Sequence, residues 1–108
     1  MLGYCARQVM VMEELARLRR CILQTLYALF KKHPYAQVEL AQLLEDCQID
    51  TETLNWNMVY LEKSGFVELS KSIDTPPYIA CSASITAAGI DLIENEDEFD
   101  NRFPDKNT

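Results

Sequence analysis

One hundred and eight residues fit one domain and leave no room for a second of ordinary size. With 48% hydrophobic and 25% charged residues the chain has the balance of a folded globular domain, and its net charge of −7 argues against wrapping nucleic acid or coating an anionic membrane. No apolar run approaches the roughly 18 residues of a membrane span, and Met1-Leu2-Gly3-Tyr4-Cys5-Ala6-Arg7 lacks the charged-then-apolar order of a signal peptide, so a soluble cytoplasmic protein is expected.

From about Met12 to Lys32, apolar residues recur at Leu15, Leu18, Ile22, Leu26 and Leu29, spaced by three and four. That spacing predicts one face of a long helix. A second stripe, Leu23, Tyr27 and Phe30, lies beside the first. Two stripes are more than one small core needs, which predicts a homodimer through this helix and the N-terminal segment, with Met10, Met12, Leu23, Tyr27 and Phe30 at the interface. Lys31, Lys32 and His33 suit the negative end of the helix dipole, and Pro34 stops the helix.

Val38 to Asp46 reads as a two-turn helix burying Leu40, Leu43 and Leu44. A tight turn, Cys47-Gln48-Ile49-Asp50, follows with Ile49 inward. Asp50 or Thr51 then caps a third helix running to about Ser64, which Gly65 ends in the left-handed conformation. Phe66 to Ser70 alternates as a half-buried strand, Lys71 to Pro77 turns, and Tyr78 to Ile85 is a second strand. Thr86 caps a last helix from Ala87 to about Glu94 that buries Ile90 and Ile93. Residues 95–108 read as a solvated acidic tail, so the domain spans 1–94.

Cys5, Cys21, Cys47 and Cys81 form no closely spaced pair, and the lone His33 has no cysteine near it in sequence. Zinc needs ligand pairs close enough to chelate, so four reduced thiols and no metal are expected. No cofactor is expected either. Only three glycines are present, and none forms a phosphate-cradling loop, so an enzyme is not expected.

Val38-x-Leu40-Ala41-x-x-Leu44 followed by Ile49-Asp50 resembles the first half of a helix-turn-helix. Leu54-x-x-x-Met58-x-x-Leu61-Glu62-Lys63-Ser64-Gly65-Phe66-Val67-Glu68 resembles a recognition helix running into a wing strand, and Ile85-Thr86-x-x-Gly89-Ile90-Asp91-Leu92-Ile93-Glu94 is similar to the segment that closes many such domains. Residues 15–94 thus resemble the small winged helix-turn-helix regulators of bacteria, archaea and phages. The resemblance implies an α+β fold, a three-helix bundle with a β-hairpin wing, and a dimeric transcriptional regulator that binds duplex DNA. It also implies glycine in the turn after the second helix, where Cys47 or Gln48 stands; a non-glycine residue in a left-handed turn costs on the order of 1 kcal/mol.

For duplex binding, the third helix would enter the major groove. With Leu54, Met58 and Leu61 turned to the core, its outer side carries Glu52, Trp56, Val59 and Lys63, flanked by Thr53, Asn55 and Tyr60. Asn55 suits an adenine edge, while Thr53, Trp56 and Lys63 complete the candidate face. Lys71 belongs to the wing, and Arg19 and Arg20 in the first helix are candidate phosphate contacts. The charges divide unevenly, with six basic and two acidic residues in 1–33 (+4), two and seven in 34–72 (−5), and two and eight in 73–108 (−6). A second reading remains open beside this one. Trp56, Val59 and Tyr60 exposed together would make a protein-interaction patch without DNA binding, unless Trp56 folds back on Phe66 as peripheral core.

Overall fold

Leu18, Ile22 and Leu26 recur at four-residue intervals, and with Leu23 they give helix α1 (Met12–Lys32) its buried face. The helix ends where expected: Lys31 and Lys32 occupy its last turn, and the His33 amide donates to Leu29 O at 2.7 Å just before Pro34. In the computed structural model, residues 12–71 and 80–104 are described. Among them the chain is α+β, with five helices and a three-stranded antiparallel sheet.

Val38 does not begin the second helix. It opens a two-residue strand, β1 (Val38–Glu39), whose partners are Ala83 and Ser82. A buried, β-branched Val38 fits a pleated surface better than a first helical turn, and the Ser82 hydroxyl donates to Gln37 Oε1 at 2.6 Å alongside. Helix α2 (Leu40–Cys47) follows and buries Leu43, with Leu44 partly covered. Its C-cap, Gln48, adopts φ 53° and ψ 56°, so the turn is left-handed without a glycine, and the Gln48 amide is satisfied by Leu44 O.

Asp50 caps helix α3 (Thr51–Lys63), accepting from the Thr53 amide at 2.7 Å and the Thr53 hydroxyl at 3.0 Å. The helix closes in a Schellman motif: Phe66 N–H reaches Leu61 O, Gly65 N–H reaches Glu62 O, and Gly65 takes φ 87°. Strands β2 (Val67–Lys71) and β3 (Ala80–Ile85) pair from Val67↔Ile85 to Ser70↔Ser82, with a register shift before Lys71↔Ala80. Because β1 adds to the other side of β3, the strand order is β1-β3-β2.

Thr86 joins two helix ends. Its hydroxyl donates to Gly65 O at 2.6 Å and accepts from the Gly89 amide at 3.1 Å, capping α4 (Ala87–Glu94) on the end of α3. Leu92 is the buried side chain of α4, whereas the expected Ile90 and Ile93 are only partly covered.

Residues 96–102 depart furthest from expectation. They are not solvated tail but helix α5 (Glu96–Arg102), capped by Asn95, whose Oδ1 accepts from the Glu98 amide at 3.2 Å. Glu96, Asp97 and Glu98 in its first turn favour the positive end of the helix dipole. Phe99 and Phe103 are buried, and Phe103 meets Phe66 and Phe99 edge-to-face at centroid distances of 6.4 Å. Residues 105–108 lie outside the described residues.

Candidate interaction surface

Leu54, Met58 and Leu61 are fully buried, as their spacing requires, and they fix which side of α3 can face a partner. Asn57 is buried with them at 0% exposure, a polar residue among apolar neighbours. Its amide nitrogen donates to Thr53 O at 2.8 Å, and its Oδ1 accepts from Arg19 Nε at 2.8 Å. A buried amide held on both ends is nearly as good as an apolar side chain; left unpaired it is costly.

Arg19 is therefore partly buried and engaged between α1 and α3. Its guanidinium stacks 3.8 Å from the Tyr60 ring centroid and lies 5.9 Å from that of Trp56. Burial pushes the Arg19 pKa down, against the attraction of Tyr60 and with the repulsion of Arg102. A hydrogen bond to Arg102 is the main reason the Tyr60 phenol is held below its ordinary pKa, and Arg102 also lies over the Phe66 ring at 5.0 Å. The pattern was open to reading in the sequence: Asn57 lies between Leu54 and Leu61 at core spacing, which marks an inner polar residue needing a partner.

Arg20 is engaged as well. Nη1 lies 2.9 Å from Asp100 Oδ1 and donates to Phe103 O at 2.9 Å, while the guanidinium covers the Phe99 ring at 4.5 Å. The first-helix arginines chosen for phosphate contact are thus a spacer between α1 and α3 and an anchor for α5.

On the outer side of α3, Trp56 is 45% exposed and does not fold back as peripheral core. Glu52 and Lys63 flank it as exposed charges of opposite sign, and Val59 and Asn55 are partly exposed. Asn55 Oδ1 is buried with no hydrogen-bond partner, so this amide is not wholly presented to an adenine edge. The Thr53 hydroxyl is taken by the Asp50 cap. Thr53, Asn55, Trp56 and Lys63 thus share α3, with Arg19 beside Trp56; the Lys71 side chain lies outside the described residues.

Three of the residues expected to drive self-association are described. Leu23 is at 0% exposure, Phe30 packs against the core, and the Tyr27 hydroxyl donates to Glu94 Oε2 at 2.8 Å. Leu23 of the second stripe is covered by its own chain, where α4 packs on α1, while Tyr27 and Phe30 are partly covered. Met10 and the Met12 side chain lie outside the described residues.

No family model matches the chain, and no curated protein or solved structure shows significant similarity to it.

Proposed function

We propose that the chain is a winged-helix module whose third helix docks a protein partner through the face centred on Trp56, not a duplex DNA reader. The β1-β3-β2 strand order, with α2 and α3 between the first two strands, supports the winged-helix reading. The observation that carries the docking reading is that Arg19 is engaged by Asn57 and Tyr60, and Arg20 by Asp100 and Phe103 O, while Trp56 stays exposed. Phosphate binding draws its affinity from free cations, and the outer face of α3 offers Lys63 opposed by Glu52. A half-exposed indole with the Arg19 guanidinium beside it and Glu52 and Lys63 on the same helix has the composition of an interface centre with a polar edge.

Trp56 is the only tryptophan, so its fluorescence reports on this face directly. Titration with mixed-sequence duplex at low salt is expected to leave the emission unchanged. Tagged protein from its native cells is expected to retain a stoichiometric partner that Trp56→Ala loses while its circular dichroism is unchanged. Saturable quenching by duplex that weakens steeply with salt would overturn the docking reading in favour of DNA binding.

A further inference from the structure

Cys21 and Cys47 are separated in sequence but are brought to one cleft by the α1–α2 contact. Both are free and partly exposed, and both line a surface cleft of about 420 Å³. Glu14, Arg17 and Leu18 of α1 border the cleft on one side; Asp46, Gln48 and Ile49 at the end of α2 border it on the other.

We propose that Cys21 and Cys47 form a dithiol–disulfide couple, with Cys21 the attacking sulfur and Cys47 the resolving one, toward small-molecule disulfides that enter this cleft. The hydrogen bonds from Cys47 and Thr25 pull Cys21 down to about pKa 7 against its burial and the Asp46 carboxylate. Donating that hydrogen bond, together with burial, pushes the Cys47 thiol up. One cysteine is therefore supplied as thiolate near neutral pH while its neighbour keeps its proton.

The chemistry balances in two exchanges. The Cys21 thiolate attacks one sulfur of the small disulfide; that S–S bond breaks, and the departing thiolate takes a proton from water. Capping Cys21 removes the thiolate that held up the Cys47 thiol. Cys47 then releases its proton to solvent and attacks the Cys21 sulfur, expelling the second small thiolate. Two electrons pass from the protein dithiol to the small disulfide, yielding one protein disulfide and two small thiols.

The test uses the full chain with Cys5→Ser and Cys81→Ser, and oxidised glutathione as the probe. The expected product has lost the mass of two hydrogens, yields a Cys21–Cys47 cross-linked peptide on digestion, and resists urea better than the reduced form. With Cys47→Ser a stable glutathione adduct should accumulate on Cys21, whereas with Cys21→Ser the Cys47 adduct should form more slowly, on the order of tenfold. Iodoacetamide alkylation of the parent chain should favour Cys21, with a half-maximal rate at a pH of about 7. This profile needs no cysteine substitution and is decisive if the serine variants fail to fold. A persistent single adduct on the dithiol protein, or equal alkylation of the two cysteines across pH, would overturn the proposal.

Discussion

Arg20 reaches Asp100 at 2.9 Å and so joins the first described helix to the last. The pair itself contributes little, since Asp100 is largely exposed and such bridges give about 0–1 kcal/mol. What it marks is the seat of Phe99 and Phe103, whose burial stabilises the chain far more. Phe99→Ala is expected to cost about 3–5 kcal/mol, and Asp100→Asn less than about 1 kcal/mol, in urea unfolding. A Phe99→Ala protein as stable as the parent would show that α5 is dispensable.

Leu23→Glu distinguishes a core residue from an interface residue. A charge introduced at a position with 0% exposure is expected to unfold the chain. Far-ultraviolet circular dichroism should lose helix signal, and light scattering should show no clean transition from a folded dimer to a folded monomer.

The Asp50 cap gives a pH signature. The amide and hydroxyl of Thr53 hold the Asp50 carboxyl below its ordinary pKa. Its stabilising contribution is therefore present above the unfolded value of 3.8 and is lost as pH falls through the lower folded value. Asp50→Ala should cost about 1 kcal/mol near neutral pH. The gap between variant and parent should close as the pH is taken below 3.8, read by urea midpoints in an acid series.

Arg19 and Asn57 form the polar contact between α1 and α3. Arg19→Ala leaves Asn57 Oδ1 buried without its donor, which costs about 1–3 kcal/mol. Adding Asn57→Leu in the same chain should recover much of that loss in thermal unfolding. Recovery identifies an unsatisfied amide as the cause.

Gly89 tests helix propensity against packing. Alanine is the better helix former by about 1 kcal/mol, yet a Cβ here would press on Phe66 O and lie 2.7 Å from Ile85 Cγ1. Gly89→Ala is expected to lower the melting temperature.

Much of this fold was legible because its signals are local. Leu54, Met58 and Leu61 declare their face by spacing alone, and Asp50, Gly65 and Thr86 declare helix ends through short-range hydrogen bonds. What escaped was decided at long range. Phe99 and Phe103 stand four apart, one helical turn, but a single apolar pair in an acidic stretch is too short a pattern to outweigh its charge, so they read as tail until the open side of α1 is set against them. The partners of Arg19 and Arg20 were hidden for the same reason, since a basic helix face looks solvated until distant Asn57 and Asp100 are placed beside it.

The two-residue strand β1 bears on the order of folding events. The β2–β3 hairpin can form within its own stretch of chain, and the pairing of β1 with β3 then closes a loop, with Ser82 meeting Gln37 across 45 positions. Closing so long a loop costs entropy that two ladder residues barely return, so this pairing should follow the hairpin and the packing of α1. Contacts made after the rate-limiting barrier govern escape from the native basin more than entry into it. Weakening the Val38–Ala83 pair should therefore shorten the lifetime of the native state while leaving the refolding rate near its original value.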